Sequence, residues 1–332
     1  MPANTLDVLG IGNAIVDVVA KSDDETLIKL NLAKGGMQLI EQDQIAGIYD
    51  AMGPGQESSG GSVANTMAGI ASFGGKTGFI GRVADDYFGQ VFSHDIRSMG
   101  VEFASTPFAG GEPTARCLIF VTPDGERTMN TYLGCSPALD TREITEEHIK
   151  RAKILYLEGY LFDRDEAKRA FHTACNMAKA SDTLISLSLS DPFCVERHRD
   201  EFKELIETHV DILFANEDEI RSLSQHDDTV NATTELAGES KTIVMTRGAE
   251  GSVISHRNEI HHILSQQVKQ VVDTTGAGDL YAAGFLYGYA QGHKIETCAK
   301  LVNIAAAEVI SHLGARPETS LADIANANGL VG

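Results

Sequence analysis

The stretch DTTGAGDLYAAGFLYGYAQG, residues 273–292, sets Gly276, Ala277 and Gly278 directly before a carboxylate, Asp279, and an apolar run of Leu280, Ala283, Phe285, Leu286 and Tyr289. Solvent loops tolerate glycines but do not lead straight into such a run. The pattern predicts a glycine-rich turn feeding a buried helix, with Asp279 in its first turn. Successive N–H groups at a helix start attract an anion, and residues without bulky side chains let phosphate oxygens approach the backbone. A carboxylate beside that anion is repelled unless it has a task there. Accepting the proton of an attacking hydroxyl is such a task. The plainer alternative is a charge that complements the helix dipole.

Other segments carry compatible groups. FANEDEI offers Asn216 and Glu219 at the end of an apolar strand, where ligands gather in open α/β sheets. Glu219 could order water around Mg²⁺, which binds few protein groups and keeps several waters. Equally, Asn216 could cap the next helix with Glu219 as its third-position partner. Thr246 and Gly248 in MTRGAEG follow a strand and read as a nucleotide-contacting turn or an ordinary loop. Asn13 and Asp17 in GIGNAIVD are polar positions in an apolar strand, and a carboxylate can accept from both hydroxyls of a sugar diol. Ser62 and Asn65, after Gly60–Gly61, could complete that site, although Ser62 could equally be a helix N-cap. GIGNAIVD is a poor dinucleotide fingerprint, because Ile15 replaces the third glycine and a strand-like run follows. That argues against an oxidoreductase.

Strands alternating with helices must position these groups. Strand-like LDVLGIG, KTGFIGRV, KILYLEG, TLISLSLSD, DILFANE and KTIVMTRG alternate with helix-like GGSVANTMAGIASFGG, DYFGQVFSHDIRSMG and DEAKRAFHTACNMAKA. The order predicts an α/β fold with a largely parallel sheet covered on both faces. A hairpin-like stretch, GSVISHRNEIHHIL, precedes the glycine turn, and two helices close the chain. Residues 101–135 break the alternation, with extended runs on either side of Pro123-Asp124-Gly125. With residues 14–40 they predict a small β-sheet standing off the main domain, as an active-site lid would.

Composition narrows the classes. With 332 residues, 42% of them hydrophobic, the chain can bury one large core with an appendage. A net charge of −20 without any Lys/Arg block argues against nucleic acid. No segment approaches the ~18 apolar residues of a membrane span, and the first residues lack the basic region of a signal peptide. Cys117, Cys135, Cys175, Cys194 and Cys298 are scattered and never spaced as CxxC, which reads as reduced thiols in a cytoplasmic protein. From Leu6 to Val19 the only charges are aspartates, and from Glu57 to Gly75 the only one is Glu57. A phosphorylated acceptor would need cations there, so the expected acceptor is neutral.

DTTGAGD with its following helix resembles the C-terminal signature of the ribokinase-like (PfkB) family of sugar and nucleoside kinases, and GGSVANTMAGIASFGGKTGFIGRVADDYFG resembles its N-terminal signature. NEDE fits the family's Asn-x-x-Glu magnesium motif. The likeness covers nearly the whole chain, and the motifs in this order are highly specific together. GIGNAIVD, GGMQLIE, GGSVAN and TPDGERTMNTYLGCS look most like the adenosine-kinase branch, while Val63–Ala64 is closer to the generic sugar kinases.

The resemblance implies a ribokinase-like three-layer α/β/α domain with a mostly parallel sheet, residues 1–332 forming one kinase domain with a discontinuous β-lid at about 14–40 and 101–135. It implies transfer of the ATP γ-phosphate, with Mg²⁺, to the 5′-hydroxyl of a purine nucleoside, adenosine first, with another neutral sugar or nucleoside as the alternative. It matches Asp279 to the general base, Gly276, Ala277 and Gly278 to the anion hole, and Arg127 to a lid arginine that clamps the transferring phosphate. Asn13, Asp17, Gly61, Ser62 and Asn65 match ribose-holding positions. Gln38 and Tyr160 fall where the nucleoside is contacted, and Met37, Leu39, Ile40 and Leu133 offer apolar surface to a base. Asn216, Thr246, Gly248 and Asn303 fall in ATP-lining segments, and Glu219 in the magnesium motif. Monomer or homodimer, and a monovalent-cation requirement, stay open. A catalytically silent nucleotide-binding regulator would not need Asp279 and Arg127.

Overall fold

The computed structural model describes residues 5–330. Its strands, in chain order, are β1 (Leu6–Ile11), β2 (Ile15–Lys21), β3 (Met37–Leu39), β4 (Gly55–Gly60), β5 (Thr77–Ile80), β6 (Val101–Phe103), β7 (Ala115–Val121), β8 (Arg127–Tyr132), β9 (Ala152–Glu158), β10 (Leu184–Ser188), β11 (Ile212–Asn216), β12 (Thr242–Thr246), β13 (Ser252–His256) and β14 (Glu259–Ile263). Nine form one sheet in the order β14-β13-β12-β11-β10-β9-β1-β5-β6, parallel except at the β12–β13 and β13–β14 pairings. Side chains alternate between two cores. Val8, Ile154, Ile212, Val244 and Ile254 enter one apolar cluster with helices Ser62–Ser72, Ala277–Ala290 and Ile295–Val309. Their neighbours Leu9, Leu155, Leu213, Ile243 and Val253 enter the other, with helices Asp165–Ala180 and Arg199–Thr208. A two-residue period with both faces covered is what a buried parallel sheet requires.

Helices Ser62–Ser72 and Ala277–Ala290 touch closely at Gly69, where a Cβ would lie 2.6 Å from Leu280 Cδ1 and 2.7 Å from the Ala283 Cβ. That contact brings the start of the first helix to Asp279.

The other five strands form a separate sheet in the order β3-β8-β7-β2-β4. Its rows follow the register: Asp17, Cys117 and Thr131 side by side, then Val19, Ile119, Met129 and Met37. These share one face. Val16, Val18, Leu118 and Phe120 point the other way, into an apolar cluster that includes Leu27, Ile45 and Ile48 of the short helices Asp24–Lys29 and Gln42–Asp50.

Four features differ from the sequence reading. Val101–Phe103 belongs to the large sheet, parallel to β5, because Val101 and Phe103 are buried in its core. The small sheet also takes in β4, whose GQESSG sequence lacks any apolar alternation, and residues 14–40 hold a helix between β2 and β3. A third helix, Leu321–Ala327, follows the two expected at the end of the chain.

Candidate active site

A cavity of about 440 Å³ lies between the small sheet and the C-terminal ends of the large sheet's strands. Ile15, Asp17, Met37, Cys117, Ile119, Met129 and Thr131 line it from the small sheet, and Tyr160, Ser188, Phe214, Asn216, Glu219 and Thr246 from the large one. Gly61, Ser62, Asn65, Thr275, Gly276, Gly278, Asp279 and Ala315 also line it. Strand C-termini, and helix N-termini just beyond them, converge here as ligand sites of open α/β sheets do.

Gly276 is the N-cap of helix Ala277–Ala290, with φ of 77°, and carries no capping side chain. The Ala277 amide donates to the Thr274 carbonyl at 3.2 Å, which leaves the Gly278 and Asp279 amides without a backbone partner, and a Cβ on the left-handed backbone of Gly276 would lie 2.7 Å from Ala315 Cα. Asp279 follows in the first turn. Its carboxylate accepts from Ser62 Oγ at 2.7 Å and from Asn65 Nδ2 at 2.8 Å. Thr66 Oγ1 donates to the Asp279 carbonyl at 3.1 Å. Burial raises the Asp279 pKa, and the Ser62 and Asn65 hydrogen bonds and the Arg316 charge oppose that rise. A desolvated carboxylate held in one orientation beside open helix amides can receive a proton from a hydroxyl in the same cavity.

Asp17 sits across the cavity on β2, half-buried, packed against Gly60 so closely that a Cβ there would lie 2.6 Å from its carboxyl carbon. Burial raises its pKa to about 6, against the pull of Arg127 and Arg316. These two arginines also line an adjoining cavity of about 920 Å³ that shares Asp17, Asn65 and Ala315. The expectation of a site without nearby cations is therefore corrected: the cations come from β8 and from the loop after helix Ile295–Val309, not from the segments flanking Asp17 and Asn65. Both are already engaged, Arg127 in a buried ion pair with Asp273 and Arg316 with the Ser59 and Ala64 carbonyls.

Several matched residues do not line this cavity. Asn13 is buried, donating to Glu158 Oε1 at 2.6 Å and accepting from Ser136 Oγ at 2.9 Å, so its side chain is spent on the scaffold. Gln38 lies one residue from Met37 and therefore points to the opposite face of the small sheet, where it donates to Asn130 Oδ1 at 2.8 Å. Leu133 follows β8 outside the lining, Ile40 is buried, and Leu39 is 64% exposed. Ala277 and Gly248 stand next to lining segments without joining them, and Asn303 Nδ2 donates to the Leu264 carbonyl at 3.0 Å.

Glu158 was missed. This buried carboxylate at the end of β9 accepts from the Asn13 amide at 3.3 Å and the Val63 amide at 3.1 Å. Burial pushes its pKa to about 7 against those hydrogen bonds. It thereby supplies an acceptor to helix Ser62–Ser72, whose N-cap Gly61 has none. A lone carboxylate closing an apolar strand, the signal used for Glu219, would have found it.

Asn216 and Glu219 form a capping box: the Glu219 amide donates to Asn216 Oδ1 at 2.8 Å, and the Asn216 amide to Glu219 Oε2 at 3.0 Å. Asn216 Nδ2 also donates to Glu219 Oε1 at 2.7 Å. Both residues still line the cavity, and burial raises the Glu219 pKa to about 7. Among the described residues no group of three or more His, Cys, Asp or Glu could hold a metal by itself. One carboxylate with both oxygens hydrogen-bonded suits Mg²⁺ held through water and phosphate oxygens, not an all-protein cage.

The fold and this wall of groups define a ribokinase-like α/β phosphotransferase. Residues 39–321 match the model of the pfkB family of carbohydrate kinases, and the chain belongs to that family. It is 47% identical to the adenosine kinase of Sinorhizobium meliloti, with a TM-score of 0.89 over 97% of this chain and 99% of that one. A probable sugar kinase protein of Rhizobium etli CFN 42 is 44% identical, with a TM-score of 0.91 over 99% of this chain and 100% of that one. Adenosine kinase 2 of Arabidopsis thaliana is 24% identical over 92% of this chain and 94% of its own length. The chain is thus a kinase of the nucleoside and sugar class, with ATP as co-substrate and an alcohol as acceptor.

Proposed function

We propose that the chain transfers the γ-phosphoryl group of ATP to the 5′-hydroxyl of a purine nucleoside, adenosine first, giving AMP and ADP. The observation that carries this reading is the Asp279 carboxylate, held by Ser62 and Asn65 beside the Gly276–Gly278 turn and facing the cavity that Asp17 also lines. The 5′-oxygen attacks the γ-phosphorus, the bond to the β–γ bridging oxygen breaks, and the hydroxyl proton passes to Asp279. The Gly278 and Asp279 amides at the start of helix Ala277–Ala290 stabilise the negative charge on the transferring group. Asp17 accepts from the ribose hydroxyls. Met37, Cys117, Ile119 and Met129 present apolar surface to the base, and at about 25 cal/mol per Å² that surface favours a nucleoside over a free sugar.

Magnesium would be held through water by Glu219, with Asn216 orienting its carboxylate, and would neutralise phosphate charge. We assign the β2–β3–β4–β7–β8 sheet the part of a lid over the acceptor. Five buried free cysteines support a reducing compartment, and so a cytoplasmic place in purine salvage. A neutral acceptor fits the prior engagement of Arg127 and Arg316. The second reading, a kinase of another neutral sugar, is favoured by the 44% identity to the probable sugar kinase protein.

Product analysis tests the reaction. Adenosine with ATP should yield AMP, and 5′-deoxyadenosine should yield no phosphorylated product. Phosphorylation of 5′-deoxyadenosine would contradict the 5′ assignment.

A further inference from the structure

Arg316 lies between helices Ile295–Val309 and Leu321–Ala327, in a loop pinned on both sides. Asp273 Oδ2 accepts from the Gly314 amide at 2.9 Å, and Glu308 Oε1 accepts from the Glu318 and Thr319 amides at 2.9 and 2.8 Å. The side chain crosses to the far side of the site. Nη2 donates to the Ser59 carbonyl at 2.8 Å, and Nη1 to the Ala64 carbonyl at 3.1 Å. Ser59 precedes Gly60, against which Asp17 packs, and Ala64 precedes Asn65, which holds Asp279. One guanidinium therefore spans the turn that carries the contacts to both carboxylates.

We propose that Arg316 is a positioning residue for phosphoryl transfer, fixing the turn from Ser59 to Asn65 and allowing Asp17 and Asp279 to be charged together. The inference rests on the kinase reading for its catalytic part. Two carboxylates on one desolvated cavity disfavour each other's ionisation unless a cation lies close. Asp17 on β2, Asp95 on helix Tyr87–Ser98 and Asp279 on helix Ala277–Ala290 all act on Arg316, while burial lowers its own pKa to about 10. Asp95 is bound to Ser59, accepting from its amide at 2.7 Å and its hydroxyl at 2.6 Å. Arg127 on β8 also lines the adjoining cavity but is paired with Asp273; Lys21, Glu57 and Glu318 complete the charged groups around it.

The two parts of the role separate by pH. The contacts to the Ser59 and Ala64 carbonyls do not titrate, whereas the compensation of Asp17 and Asp279 matters only while they are ionised. Their raised pKa values mean that folding favours the protonated forms, so the associated stability is lost as pH rises from the unfolded value towards and through the folded one. Arg316→Met should widen that loss.

Melting temperatures of the full chain at about pH 5 and about pH 8 decide this without any substrate. The Tm gap between wild type and Arg316→Met should be wider at the higher pH, and Arg316→Lys should recover the pH-dependent part. Asp17→Asn combined with Arg316→Met should melt above Arg316→Met at the higher pH, and should fold even if Arg316→Met alone does not. Equal gaps at both pH values, no recovery by lysine, or no rescue in the double variant would each overturn the proposal. In kinetics, the acid limb of kcat/KM should move up by roughly one pH unit in Arg316→Met, about a tenfold loss below the limb. If the wild type phosphorylates no nucleoside or sugar, the kinase reading fails, and the melting comparison still decides the electrostatic role of Arg316.

Discussion

Arg127 and Asp273 form a buried ion pair that ties the first residue of β8, in the small sheet, to the start of the glycine turn six residues before Asp279. Their side chains are only 8% and 6% exposed. Asp273 also accepts from the Thr275 amide at 2.9 Å and from the Gly314 amide, so one carboxylate joins the small sheet, the turn and the Arg316 loop. Burial would raise its pKa, but these amides, the Thr275 side chain and Arg127 hold it below the ordinary value.

Arg127→Ala should destabilise the fold by about 3–5 kcal/mol, because it leaves Asp273 buried without its cation. Asp273→Asn in the same chain should restore much of that stability. Turnover should stay low in the double variant if Arg127 also stabilises charge on the transferring phosphoryl group. Denaturant unfolding and kcat measured on the single and double variants check both halves. Recovery of kcat along with stability would make Arg127 a structural residue only.

Asp279→Asn preserves shape and removes basicity. Turnover should fall by roughly 10²–10⁴-fold with little change in ATP binding. Isothermal titration with a non-hydrolysable ATP analogue, beside kcat, separates the two. Near-normal turnover in the folded variant would remove Asp279 from the mechanism.

Gly276 and Gly278 should fail differently. A Cβ at Gly276 meets Ala315 on a backbone that L side chains rarely adopt, so Gly276→Ala should lower Tm. Around Gly278 a Cβ would meet nothing within 4 Å, and the residue faces the cavity. Gly278→Val should therefore fold with a Tm near that of wild type while its side chain enters the space for phosphate. Tm and the KM for ATP should move in opposite patterns for the two variants; equal loss of stability would contradict an open cradle at Gly278.

Asp17, at about 6, and Asp279 must both be ionised for the proposed chemistry, so kcat/KM should fall as pH drops below about 6. A profile flat to about pH 5 would contradict it. Glu158 offers a stability counterpart. With its pKa raised to about 7, its contribution is fully present below the unfolded value of about 4.5 and is lost as pH rises through about 7. Glu158→Gln should melt below wild type by the loss of an acceptor for the Asn13 or Val63 donors, with a deficit that shrinks between about pH 5 and about pH 8. A deficit that grows over that range would reverse the assigned sign.

The glycine turn, Asp279 and the alternation of strands and helices were legible because each is local. The turn needs only neighbouring residues, and strand alternation repeats every second position. Gln38 was misplaced because a strand position has two faces, and the pairing of Met37 with Met129, which fixes the face, joins residues far apart in sequence. The Asn13–Glu158 contact spans 145 positions. Arg316 is one arginine in a polar loop, and its role comes from carbonyls that only folding brings to it. The GQESSG strand is polar and framed by glycines, so its place beside β2 comes from pairing and not from its own pattern.

The specificity constant for each acceptor at saturating Mg·ATP tests the central claim most directly. Adenosine should exceed free ribose, fructose and other hexoses, because a sugar alone leaves Met37, Ile119 and Met129 without an apolar partner. Asp17→Ala should abolish activity on whichever acceptor leads. A kcat/KM for adenosine above every free sugar would support the nucleoside assignment, and a hexose or free ribose outperforming every purine nucleoside would contradict it.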